Sequence, residues 1–154
     1  MAAMIIVELS PAACMEVVAS NRVARLAVAS GVQPYVVPIY YALDGGYLHS
    51  FTLPGKKLEW MRANPRVCVQ VDEQSPDGWR SVVIDGTFEE LPDRLGHKHA
   101  RERAWQLLSR HAEWWEPGAI KPGPPSHVQR TDRLFYRISI DQVSGREARS
   151  EPSG

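Results

Sequence analysis

The sequence carries no excess charge of either sign: 18 lysines and arginines are matched by 18 aspartates and glutamates. Affinity for nucleic acid comes from neutralised phosphates, so a chain without a basic field or a long basic run is expected to bind none. Cysteine is scarce, with two residues in 154. Cys14, in a predicted helix, and Cys68, in a predicted strand, do not make a disulfide framework, which suits a reducing compartment. No apolar run approaches the roughly 20 residues that cross a bilayer. The opening MAAMIIVELSPAAC has no basic segment ahead of its apolar residues and breaks at Glu8, so no signal peptide and no membrane partner are expected. No internal repeat is visible. His97 and His99 lie two apart on a predicted helix and face different ways, and His111 and His127 lack carboxylate or cysteine companions at ligand spacing, so no metal is expected. The expected location is cytoplasmic.

What is present gathers in one stretch, PYVVPIYYALDGGYLHSFTLPGKKLEWMRANPR, residues 34–66. Tyr35, Val36, Val37, Ile39, Tyr40 and Tyr41 favour a strand, Asp44-Gly45-Gly46 a turn, and Tyr47 to Thr52 a return strand. Leu53-Pro54-Gly55 then leads into a short helix that ends at Asn64-Pro65. Lys56 and Lys57 fall in the first turn of that helix, where the macrodipole is already positive. Each cation there costs a few tenths to about 1 kcal/mol, and a bound anion removes the conflict. The joint is therefore a candidate phosphate seat, against the plainer reading of a solvated lysine pair. Pro38 cannot donate to a sheet ladder and is expected at an edge, at a bulge, or beside a ligand.

Along the rest of the chain, Ser10-Pro11 opens a helix to about Ser20. RLAVAS from Arg25 pairs as a hairpin with the strand from Pro34. Arg66 to Asp72 alternates as a strand, Glu73 to Gly78 reads as a polar loop, and Trp79 to Leu91 as a long strand with a bulge or a sharp bend at Gly86. Asp93 to about Glu113 is a predicted helix with Leu95, Ala104, Leu107, Leu108 and His111 near one face. WWEPGAIKPGPPSHVQR follows as a loop rich in proline and glycine, and Arg133 to Val143 as a last strand. One domain is expected over residues 1–144, with a frayed polar tail over 145–154. Strands joined mostly by short turns around one helix argue for an antiparallel barrel rather than a doubly wound sheet.

RLAVAS, PYVVPIYYALDGGYLHS, GKKLEWMRANPRVCVQVD and WRSVVIDGTFEEL, in this order and spacing, resemble the FMN-binding split barrel of the pyridoxamine 5′-phosphate oxidase superfamily. Within it the chain is most similar to the short flavin-nucleotide-binding branch that includes the nitroimidazole-resistance proteins. The resemblance implies a mainly β fold with α, a six- or seven-stranded antiparallel split β-barrel with peripheral helices. It further implies a homodimer with two FMN sites at the subunit interface. Val37, Pro38 and Ile39 would then lie along the isoalloxazine and ribityl chain, with His49 and Ser50 on the neighbouring strand. Lys56 and Lys57 would bind the phosphate, and Trp79 and Ser81 would reach the flavin held mainly by the other subunit. The run that forms the substrate pocket of the oxidase proper, ending in Arg-Leu-His-Asp-Arg, reads HVQRTDRLFYRIS here, so vitamin B6 synthesis is not implied.

FMN presents a dianionic phosphate, a polar ribityl chain and a flat ring, and residues 34–57 offer cations, a hydroxyl donor in Ser50 or Thr52, and a strand surface. His49 reads as a structural strand histidine, as a neighbour of the flavin, or as a haem ligand, since some relatives with this barrel bind haem instead of flavin. Trp114 and Trp115 read equally as a cap over the flavin or lining of a substrate cavity at the dimer interface, and as anchors of the loop to the barrel. No serine, cysteine and histidine arrangement suggests a nucleophile, and no catalytic residue is assigned. The leading expectation is an FMN-dependent oxidoreductase acting on a small planar or nitroaromatic substrate with an external reductant. The alternatives are a flavin-binding or storage protein without turnover, and a barrel using F420 or haem instead.

Overall fold

A computed structural model describes residues 3–92, 97–110 and 134–152. The elements in chain order are β1 (Met4–Glu8), α1 (Pro11–Ser20), β2 (Val23–Ser30), β3 (Gln33–Tyr40), β4 (Ala42–Asp44), β5 (Tyr47–Thr52), α2 (Lys56–Ala63), β6 (Arg66–Ser75), β7 (Gly78–Leu91), α3 (Lys98–Ser109) and β8 (Leu134–Ser150). The eight strands form one antiparallel sheet ordered β3-β2-β6-β7-β8-β5-β4, with β1 paired to β8 off that path. Its end strands β3 and β4 do not pair among the described residues, so the barrel is split rather than closed. The protein is mainly β, as expected, with eight strands described.

Side chains alternate across this sheet. Ala24, Leu26, Val28, Ile39, Leu48, Val69, Val71, Val82, Ile84 and Ile138 face inward and make the principal core. The helices α1 and α2 close its two ends. From one end, α1 inserts Cys14, Val17 and Val18, and the buried Tyr41 hydroxyl donates to the Val18 carbonyl at 2.6 Å. At the other, α2 inserts Leu58 and Met61, and Asn64 donates to the Ala29 carbonyl at 3.4 Å. A second cluster lies outside the sheet, where Ala104 and Leu108 of α3 cover Tyr40, Phe51, Leu91 and Phe135.

The local signals worked where chemistry was explicit. Ser10 accepts from the Ala13 N–H at 3.1 Å with Pro11 in the first helical position, as the N-cap reading required. Gly45 and Gly46 adopt φ of 60° and 79°, the left-handed turn that a two-residue hairpin needs. At Gly86 the ladder between β7 and β8 shifts register, and an added Cβ would collide with the Ser139 carbonyl and the Ile138 side chain.

Other boundaries differ. Glu73, Gln74 and Ser75 are not a loop but pair with Arg80, Trp79 and Gly78 across a tight turn. The strand expected from Pro34 to Leu43 is two, because β3 pairs with β2 while only Ala42 to Asp44 pairs with β5. Residues 145–150 do not fray: β8 runs to Ser150, held by β7 on one side and by β1 on the other. The predicted helix is described over Lys98–Ser109. Leu95, His111, Trp114, Trp115, His127, Arg133 and the loop after α3 lie outside the described residues. Among the described residues, no helix is long and apolar enough to cross a membrane.

Candidate functional site

The split exposes the free edge of β3. Gly31 and Val32 join β2 to β3 in a two-residue turn with Ser30 opposite Gln33, which fixes the ladder phase. Ser30 and Gln33 exchange hydrogen bonds, so Pro34, Val36, Pro38 and Tyr40 aim their main-chain groups away from β2. Two observed bonds agree: Gln33 donates to the Pro34 carbonyl at 3.0 Å, and Ser50 Oγ donates to the Tyr40 carbonyl at 2.6 Å. Proline therefore occupies two of the outward positions, removing N–H donors that would otherwise recruit another strand. Pro38 is an edge proline, and among the described residues the Val36 amide and the Val36 and Pro38 carbonyls are left for a ligand or solvent.

Beside that edge stands the start of α2. Gly55 offers no side-chain cap, and Glu59 N–H is the first to bond back, to Gly55 O at 3.1 Å. Among the described residues, the N–H groups of Lys56, Lys57 and Leu58 are thus the uncapped donors of this terminus. The two lysines diverge. Lys56 is exposed and lays its ammonium 4.5 Å from the Tyr35 ring centroid and 4.7 Å from that of Trp60. Lys57 is half-buried, has no carboxylate or hydrogen-bond partner among the described residues, and desolvation lowers its pKa. An unpaired, desolvated cation beside uncapped N–H donors is an arrangement that an anion completes.

The remaining predicted site residues do not converge on one point within a single chain. Val37 and Ile39 point inward to the core, while Pro38 between them faces out. His49 and Ser50 are neighbours on a strand and face opposite sides. Ser50 is buried on the inner side, where its hydroxyl ties β5 to the end of β3 across the split. Thr52 Oγ1 likewise donates to the Leu53 carbonyl at 2.9 Å, so both hydroxyls expected for the ligand are already engaged with main chain. Tyr136, opposite Ser50, is fully buried and its phenol is pushed up to about 12 by desolvation, opposed by the nearby Ser50 hydroxyl, with no hydrogen bond of regular geometry at its own hydroxyl among the described residues.

His49 lies on the outer side, 4% exposed. It sits beside Asp44, Arg103 of α3 and Arg137, with the Tyr47 ring 6.2 Å away. Burial lowers its pKa, opposed by the Asp44 carboxylate and by a hydrogen bond to the Asp44 main chain, and its Nδ1 has no partner among the described residues. Arg103 reaches Asp44 at 3.4 Å, and Arg137 holds Glu89 by two hydrogen bonds of 2.8 and 3.2 Å while covering Tyr47. This cluster fastens α3 to the sheet, away from Lys57.

Trp79 and Ser81 share the outer face with Pro38. The path between them crosses Arg25, the register partner of Pro38, then Gln70 and Asp72. Arg25 pairs with Asp72 at 3.3 Å and Gln70 donates to Ser81 at 3.1 Å, lining a shallow cavity of about 380 Å³ with Trp79. Trp79 and Val83 stand 39% exposed, and Val36 59%. Sequence reasoning missed Tyr35, Trp60 and Arg25 as parts of these surfaces. The spacing of Lys56 and Trp60, one helical turn, was the available signal for the second.

The family model described as pyridoxamine 5′-phosphate oxidase matches residues 10–147. An uncharacterised protein of Rhizobium meliloti is 43% identical over 136 residues, which are 88% of this chain and 90% of that protein. A crystal structure of an FAD-binding protein from Mesorhizobium loti is 53% identical, covers 97% of this chain and 100% of its own, and superposes with a TM-score of 0.78. The fold is shared more distantly by a candidate 5-nitroimidazole antibiotic resistance protein from Bacteroides thetaiotaomicron, at 17% identity over 95% of this chain and 89% of that one with a TM-score of 0.71. On its split barrel and on these matches, the chain belongs to the pyridoxamine 5′-phosphate oxidase-like family.

Proposed function

We propose that this protein binds a flavin nucleotide, with the phosphate next to the ribityl chain seated at the start of α2 and the isoalloxazine against the open edge of β3. The observation that carries the reading is Lys57, half-buried without an anionic partner among the described residues beside uncapped helix N–H donors. The FAD-binding relative from Mesorhizobium loti supports it. Lys57 and the amides of the first turn bind the phosphate. The Val36 amide and the Val36 and Pro38 carbonyls meet the polar edge of the ring system, and Pro38 supplies an apolar surface with no competing donor. FMN is the minimal ligand that satisfies these groups.

When bound, the flavin supplies hydride and electron transfer, and the protein positions it and its substrate. We read the protein as an oxidoreductase for a small planar or nitroaromatic compound, with a flavin carrier lacking turnover as the competing role. Exposed Trp79, Val83 and Val36 on one outer face support a homodimer in which Trp79 and Ser81 of one subunit approach the flavin of the other. Haem fits poorly, since His49, the candidate haem ligand, is 4% exposed and enclosed by Asp44, Arg103 and Arg137. Mass spectrometry of the small molecule released on denaturing the purified protein tests the reading. A flavin nucleotide supports it; haem, F420 or no ligand even after incubation with flavins removes it. Reduction of a nitro compound by the photoreduced protein separates the oxidoreductase from the carrier.

A further inference from the structure

We propose that the corner formed by Tyr35 and Trp60 is an adenine seat, which makes this protein selective for FAD over FMN; the inference rests on the flavin reading above and extends it. The two rings come from different elements, β3 and α2, and meet edge to face at 5.7 Å and 60°. Unlike Tyr40, Tyr41 and Tyr136, which are fully buried, both remain half-buried. The corner lies beside the first turn of the helix whose second residue is Lys57. Its present occupant is the Lys56 ammonium, 4.5 and 4.7 Å from the two centroids.

FAD differs from FMN by a second phosphate and an adenosine. Those additions need one more cation next to the first phosphate site and an aromatic surface a short reach beyond it. Lys56 precedes Lys57 and is exposed, so its flexible stem can leave the rings and meet the second phosphate. Adenine then stacks where the ammonium lay. A purine offers a far larger stacking area than a solvated ammonium, so the exchange favours the dinucleotide. FMN has nothing to place in the corner and leaves Lys56 on its rings. The same residues thus read the length of the nucleotide without touching the isoalloxazine.

The test compares FAD and FMN affinities of the apo full-length protein and of Tyr35→Ala, Trp60→Ala and Trp60→Phe by isothermal titration calorimetry. The native protein is expected to bind FAD about tenfold more tightly than FMN, the scale of one base stacked on an aromatic surface less the cation–π contact it displaces. Each alanine variant should bring FAD down to the FMN level while FMN affinity stays within about threefold, which also reports an intact fold. Trp60→Phe should keep most of the preference. Equal affinities in the native protein, or a preference that survives both alanine substitutions, overturn the adenine seat and leave the flavin reading standing. A loss of FMN affinity equal to that of FAD in both alanine variants also overturns it, since the rings would then serve the barrel or the shared half of the ligand. If neither flavin binds the native protein, both readings fall.

Discussion

Replacing Lys57 with methionine should move stability and binding in opposite directions. The ammonium is desolvated without a compensating charge among the described residues, and methionine keeps the apolar stem while deleting the head group. The empty variant should therefore resist urea better than the native chain. Its FMN affinity should fall, because a charge-assisted hydrogen bond contributes about 1.5–3 kcal/mol, or roughly 10- to 150-fold in Kd. Lys56→Ala separates the two lysines: it deletes an exposed cation–π contact of about 0.5–1 kcal/mol and should change FMN affinity by less than about threefold. The pH dependence follows the same logic. Phosphate binding favours protonated Lys57, so FMN affinity should decline as pH rises through the lowered pKa of that lysine, and Lys57→Met should lose this decline. Flavin fluorescence titration gives the affinities and urea melts give the stabilities. An Lys57→Met protein that binds FMN as the native chain does, or an Lys56→Ala loss larger than that of Lys57→Met, refutes the assignment.

Three further outcomes are expected. The folded pKa of His49 lies below its ordinary value of 6.5, so the unfolded chain binds more protons between the two values. Stability should therefore fall as pH drops below about 6.5 toward the folded value, and His49→Gln should flatten that part of the difference in urea midpoint. Ser50→Ala leaves the Tyr40 carbonyl without its donor across the split and should cost about 1–3 kcal/mol by chemical denaturation; no measurable change would mean the tie is dispensable. Gly86→Ala drives a methyl into the Ser139 carbonyl and Ile138, so a loss of about 1–3 kcal/mol or more is expected in the same assay, and a neutral result would show that the β7–β8 shift absorbs it freely.

Much of the sheet was legible because one face of each strand meets a core. The alternation in RLAVAS and RVCVQVD located β2 and β6, and Gly86 announced the register shift between β7 and β8. The ends of the chain were not legible. Residues 145–150 are mostly polar, and their ladders to β1 and β7 are made by main chain, which composition does not report. MIIVE looks like a stray apolar run until that ribbon is present to pair with it.

At the site, the conflict between two lysines and a helix N-terminus was visible in sequence. Their divergence was not, since it depends on Tyr35 and Trp60 meeting from separate elements. The grouping of His49 with Ser50 came from resemblance, although the two-residue period of a strand already places them on opposite faces. That period also sets Pro38 apart from Val37 and Ile39. Of those three, Pro38 alone shares the outer face with Trp79 and Ser81.

The central claim concerns where the phosphate sits, and a crystal structure of the flavin-loaded protein tests it most directly. The expected result is a phosphate oxygen about 2.7–2.9 Å from Lys57 Nζ and hydrogen-bonded to amides of the first turn of α2. A phosphate bound elsewhere, with Lys57 still unpaired, would contradict the account.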